Sequence, residues 1–135
     1  MEPNHSPGIV ESAEPLARFV PSLDLDVETN TVKPSLFAHS GTVGMSVTRV
    51  KYAGPQDLKT QQESRPYVGY VTAPTEAIRS LRLDGAQIFA IYDTALSDNK
   101  AHADVCQTVF QPRSKVSEMR RQLQLAFERI PTSAT

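Results

Sequence analysis

The stretch His102-Ala-Asp104-Val-Cys106 places an imidazole, a carboxylate and the chain's single thiol within five residues. Three chemistries use these residue types. Histidine and cysteine ligate zinc, histidine moves protons near neutral pH, and a thiolate is a nucleophile. Spacing decides among them. On a helix, His102 and Cys106 would stand one turn apart and could share a metal. Val105, Thr108, Val109 and Phe110 instead predict an extended segment over 104–110, with Val105 and Val109 on one face and Cys106 and Phe110 on the other. Four residues of strand span roughly 13 Å at about 3.3 Å each. Zinc holds its ligands within about 2.3 Å. One strand therefore cannot offer both side chains to one ion, and a zinc site would need His39 or His5 from elsewhere. The expectation is no metal and no cofactor, with Cys106 a small buried apolar residue.

His102 carries two readings. Asp98 and Asn99 in LSDNKAHA can hold a turn through side-chain-to-backbone hydrogen bonds. A histidine where that loop enters a strand can then bond loop carbonyls and fix their path. The other reading makes His102 a catalytic acid/base, assisted by His39 or Arg49, acting on RNA or a nucleotide. A second polar cluster lies in FAHSGTVGMSVTR, where His39, Ser40 and Thr42 flank Gly41 and could accept an anion. The spacing is not that of a phosphate-binding loop, and no helix follows. Arg49 ends the row Val43, Met45, Val47 and is expected to snorkel from the sheet edge, with ligand binding as the alternative. Asp24, Asp26 and Glu28 share one exposed strand face and read as solubility rather than paired catalytic carboxylates.

These residues must be positioned by a small domain. A chain of 135 residues with 39% hydrophobic and 21% charged residues supports one core. One cysteine excludes an internal disulfide and a multi-cysteine zinc module, and fits a reducing compartment. MEPNHSPGIVESAEP lacks a basic start followed by an apolar run, so no secretory signal is expected there. No apolar run reaches the roughly 18 residues of a membrane span. Residues 1–30 hold six acids and one base, a net −5, which leaves +4 for the rest of a chain of net −1.

Hydrophobic periodicity supplies the elements. SLDLDVET alternates strictly, predicting a strand with Leu23, Leu25 and Val27 buried, closed by a turn at Thr29-Asn30. Strands follow at 43–50, 67–72, 86–92 and 104–110. The run AQIFAIY is apolar on both faces and predicts a central strand covered on both sides. A short helix, capped by Thr72, presents Ile78 and Leu81, and a helical turn is placed at 55–62. Ser114 caps a last helix to about Ile130, with Val116, Met119, Leu123, Phe127 and Ile130 as one stripe. The sum is an α+β fold: a small, mostly antiparallel sheet covered by a C-terminal amphipathic helix, with one short additional helix. Residues 1–22 form a mobile acidic arm, 23–130 a single domain and 131–135 a tail.

TVKPSLFAHSGTVGMSVTR and DTALSDNKAHADV together resemble a group of small bacterial proteins without an established activity. Pro34, Phe37, Gly41 and Ser46 match its H-P-x-x-F…G…S segment, and Leu96, Asn99, Ala101, His102 and Ala103 match its P-L-P-E-N-P-A-H-A loop. Ala95, Ser97 and Lys100 stand where that loop has prolines. The resemblance covers roughly 30–115 and implies a bacterial, cytoplasmic protein; it implies no reaction. The functional expectation is a non-catalytic binding or accessory module of a bacterial multi-protein, defence-type system, with a protein partner. Arg120 and Arg121 on the basic last helix offer a contact surface, for that partner or for nucleic acid, and no membrane is involved.

Overall fold

The structure is a computed structural model that describes residues 8–41, 44–53, 55–64, 66–96, 99–108 and 113–132. It is α+β. The strands are β1 (Pro15–Pro21), β2 (Leu25–Asp26), β3 (Thr31–Val32), β4 (Met45–Arg49), β5 (Tyr67–Pro74), β6 (Arg82–Leu83), β7 (Ala86–Gln87), β8 (Phe89–Asp93) and β9 (His102–Gln107). The helices are α1 (Pro55–Ser64), α2 (Thr75–Arg79) and α3 (Arg113–Ala126). Five strands form one sheet in the order β5-β1-β4-β9-β8, and every pairing in it is antiparallel. Among the described residues no helix is long and apolar enough to cross a membrane.

Strand parity sorts the side chains. Leu16, Met45, Val47, Val105, Phe89 and Ile91 share one face and are buried with Met119 and Leu123 of α3 and Phe127 just beyond it. Of the expected stripe these three are buried, whereas Val116 is half-buried, the helix ends at Ala126 and Ile130 is 59% exposed. Residues after the helix are recruited elsewhere. Glu128 N–H donates to Thr72 O at 3.0 Å, and Thr132 and Tyr70 exchange backbone bonds of 2.7 and 3.0 Å. Gly69 permits that approach, since a Cβ there would meet Thr132 O at 2.6 Å. A 3-10 segment, Pro34–Gly41, completes the cover, with Phe37 packed 5.2 Å from Phe127.

The opposite face has a smaller cover. Ala17, Ala53, Leu58 and Ala101 form a separate buried cluster, with Phe19 and Tyr70 packed against it. Leu58 comes from α1, so α1 shields the β5–β1 half of this face.

Several expectations are corrected. The arm was placed at 1–22, yet residues 15–21 are β1, a strand between β5 and β4. Residues 23–28 are not one strand. Ser22–Asp24 is a 3-10 turn, only Leu25–Asp26 pairs, and Leu23 and Val27 are 85% and 82% exposed. The Asp26 carboxylate accepts from Glu28 N–H at 3.0 Å and Thr29 N–H at 3.4 Å, which turns the chain before alternation can continue. The turn through Asn30 is present, in the left-handed region at φ 55°. Thr72 does not cap α2. It lies in the β5 ladder opposite Ala17, and the helix begins after Pro74. The apolar run at 86–92 is not a central strand: it splits into β7 and β8, and β8 is a sheet edge.

Arg49 is the largest correction. It does not snorkel. It is fully buried, and its guanidinium donates to both Glu14 carboxylate oxygens at 2.7 and 2.8 Å, to Gly8 O at 2.7 Å and to Ile9 O at 2.8 Å. Glu14 is itself 4% exposed. Its backbone carbonyl accepts from Thr75 N–H and Oγ1 at 3.0 and 2.8 Å. Arg79 adds a bond to Val10 O at 2.6 Å. Residues 8–14 are thus a strap tied across the end of the sheet.

Burial raises the Glu14 pKa, but hydrogen bonds from Arg49 and the Glu11 amide, with the charges of Arg49 and Lys51, outweigh it and leave it lowered. The unfolded chain then binds the proton at higher pH than the folded one. The contribution of the pair is complete above the ordinary glutamate value of about 4.3 and is lost as pH falls through the lower folded value. We predict that Glu14→Ala destabilises the protein by about 3–5 kcal/mol near neutral pH, because it strands a buried guanidinium. Chemical denaturation should show that deficit shrinking below about pH 4.

Candidate functional site

The uncovered half of the second face carries the polar side chains that sequence spacing singled out. β4 alternates Met45 and Val47 inward with Ser46 and Thr48 outward, while β9 alternates Ala103 and Val105 inward with His102, Asp104 and Cys106 outward. The register pairs Thr48 with His102, Ser46 with Asp104, Tyr92 with Asp104 and Ala90 with Cys106. Directly paired residues share a face. Ser46, His102, Asp104, Cys106 and Tyr92 therefore stand together on one side of three adjacent strands.

His102 and Cys106 lie at opposite ends of an extended segment, as their spacing predicts. No group of three metal-ligating side chains occurs among the described residues. The imidazole is half-buried. Its Nδ1 is 2.7 Å from Thr94 Oγ1 and 3.3 Å from Thr94 O, and its Nε2 is 3.3 Å from Ser46 Oγ. Ser46 Oγ in turn reaches Asp104 Oδ1 at 3.5 Å. One proton arrangement serves every side-chain contact. Thr94 O–H donates to Nδ1, Nε2–H donates to Ser46 Oγ, and Ser46 O–H donates to the Asp104 carboxylate. In that arrangement the serine proton points at the Asp104 carboxylate rather than at the imidazole.

The loop before β9 is held by its own side chains. Asn99 Oδ1 accepts from Ala101 N–H at 3.2 Å, Leu96 and Asn99 exchange backbone bonds of 2.9 and 3.1 Å, and His102 N–H donates to Asn99 O at 3.3 Å. Asn99 is thus a turn residue. The bond to Asn99 O uses the backbone of His102, not its imidazole.

The other expected site residues do not converge on His102. Arg49 belongs to the inward face and is saturated by Glu14, Gly8 and Ile9, so it is not available to a ligand. The side chains of His39 and Ser40, and all of Thr42, lie outside the described residues. Arg120 and Arg121 are on α3, across the sheet from His102. Arg121 is clamped by Glu118 at 2.8 and 3.0 Å, and Arg120 buries its Nε without a hydrogen-bond partner among the described residues. Lys115 meets Asp84 at 2.7 Å. The basic helix is therefore partly neutralised by its own neighbours.

Ser46, Thr94 and Tyr92 were not among the expected site residues. For Ser46 the signal is parity: MSVT and HADVC both alternate apolar with polar, and their polar positions coincide once the strands pair. Compared in turn with protein-family models, curated proteins and solved structures, the chain finds no match.

Burial raises the Cys106 pKa and the Asp104 charge raises it further. Gly44 crowds the sulfur: its φ is 81°, and a Cβ there would sit 3.0 Å from Sγ. We predict that iodoacetamide modifies Cys106 several-fold more slowly than glutathione near neutral pH. Asp104→Asn should speed the reaction by restoring thiolate; a rate equal to that of glutathione would contradict the assignment.

Proposed function

We propose that this chain is a non-catalytic binding module that docks on a protein partner, an accessory component of a bacterial, cytoplasmic multi-protein system. One observation carries the reading. The β4–β9–β8 half of the second face has no helix over it among the described residues, although α1 covers the neighbouring half. That bare half presents hydrogen-bonding groups beside large apolar ones. Tyr92 is 55% exposed, and Leu96, in the loop that β8 enters, is 48% exposed. Tyrosine with a polar tip and an apolar body is enriched in protein contacts.

A second reading is supported by the Ser46–His102 contact of 3.3 Å: a small enzyme using His102 as acid/base on RNA or a nucleotide. Electrostatics favour the first. Asp104 stands 3.5 Å from Ser46 Oγ and would repel a phosphodiester or a developing oxyanion.

Affinity capture with the full chain in its own host separates the two. Tyr92→Lys and Leu96→Lys should leave stability within about 0.5 kcal/mol. They should abolish recovery of the partner that the unaltered chain retains in constant proportion. His102→Ala and Ser46→Ala should retain it. A monomer in sedimentation that recovers nothing, or a host phenotype lost with His102→Ala but kept with Tyr92→Lys, would overturn the binding reading.

A further inference from the structure

The charges on the three strands of the bare half-face are settled unequally. Besides the imidazole of His102, β4, β9 and β8 carry three charged side chains, Arg49, Asp104 and Asp93. Arg49 and Asp93 share the inward parity and stand 3.9 Å apart. Asp104 faces the other way, directly opposite Ser46 on β4 and Tyr92 on β8. It is half-buried. Its Oδ1 reaches Ser46 Oγ at 3.5 Å. Its Oδ2 has no hydrogen-bond partner, and neither oxygen has a cation within 4 Å, among the described residues. Tyr92 is equally unengaged: no ring or cation packs on it among the described residues. No lysine or arginine stands on this side of β4, β9 or β8.

Docking over this face has an electrostatic condition. A partner that covers Asp104 takes a carboxylate out of water, and no cation of these strands replaces the lost hydration. An apolar cap would bury an unpaired charge, and an acidic one would add repulsion. A cation meets the condition. Tyr92 narrows it further. A ring directly across from a carboxylate suits a planar guanidinium, which stacks on the ring while its N–H groups reach the oxygens. The chain makes this arrangement once already. The Arg49 guanidinium bonds both Glu14 oxygens and lies 4.7 Å from the centre of the Tyr52 ring.

We propose that Asp104 and Tyr92 together receive an arginine side chain of the protein partner at the centre of the contact. This rests on the binding-module reading and names the chemistry that the partner brings. Ser46 holds one carboxylate oxygen and leaves the other for the guanidinium. His102, turned to Ser46 and Thr94, braces that serine and does not touch the ligand.

NMR titration of the isotopically labelled full chain tests the assignment. The probes are N-acetylarginine methylamide, its lysine counterpart and its citrulline counterpart, which keeps the shape of arginine without the charge. The arginine probe should shift the amides of Ser46, Tyr92 and Asp104 saturably, with a dissociation constant on the order of 1–10 mM, as a ligand of this size allows. The lysine probe should bind at least about threefold more weakly and the citrulline probe at least about tenfold. Asp104→Asn should weaken the arginine probe by at least about fivefold at unchanged melting temperature. In host capture, Asp104→Arg should abolish recovery of the partner. Absence of a saturable shift up to about 50 mM, a citrulline probe equal to arginine, or indifference to Asp104→Asn would overturn the proposal. Shifts that map to Glu11 and Asp93 instead, or undiminished capture with Asp104→Arg, would do the same. Self-association in sedimentation that Asp104→Asn abolishes would put an arginine of a second copy on this face and overturn it as well. If the arginine probe fails while capture through Tyr92 and Leu96 persists, only this assignment falls. If capture fails too, the binding-module reading falls with it.

Discussion

The ion pair between Arg49 and Glu14 is the constraint on which the arrangement rests. Two charges leave water together, and the guanidinium is satisfied by both carboxylate oxygens and two backbone carbonyls. Such a pair adds little stability over a well-packed apolar substitute, but removing one partner is costly because the other is left buried and charged. It also fixes geometry. The strap at residues 8–14 has few apolar side chains to bury, and Val10 alone among them joins the main core. Charge-assisted bonds from Arg49 and Arg79 hold it instead. β1 begins where the strap ends, and β1 joins β5 to β4.

The sheet has two faces with unequal covers, and the inequality creates the exposed surfaces. α3 and the 3-10 segment close one face over its length. On the other, α1 reaches only the β5–β1 half. Small residues, Ala17, Ala53 and Ala101, let that helix sit close. Beyond them the outward positions change to Ser46, Asp104 and Tyr92, which need no cover. The polar network from Thr94 through His102 to Asp104 is therefore a solvated surface rather than the wall of a cleft. Its hydrogen bonds rigidify the entry to β9 while leaving polar atoms turned outward.

Much of the element list was legible from alternation and helical spacing. β4 falls within its predicted segment, β5, β8, β9 and α3 overlap theirs with shifted ends, and Met119, Leu123 and Phe127 face the core as their spacing requires. Legibility failed where local chemistry overrode the pattern. Asp26 turned the chain at 26–29, so Leu23 and Val27 never found a core. An apolar run read as a central strand became an edge, because its second apolar residue type, Ala90, is small enough to tolerate a bare face. The site divided in the same manner. His102 and its separation from Cys106 followed from spacing alone, whereas Ser46 and Tyr92 needed a register.

What the sequence determined by itself was local: the extended state of the histidine–cysteine segment, the inward parity of β4 and β9, and the buried part of the apolar stripe of the last helix. These follow from period-two and period-3.6 geometry, which requires no partner. Tertiary structure alone decided which strands lie side by side and which acid meets which base. Glu14 and Arg49 are 35 positions apart, and Ser46 and His102 are 56 apart. Pairings at that distance depend on chain topology and on the exclusion of water around a buried charge, and neither is written in any single window of residues.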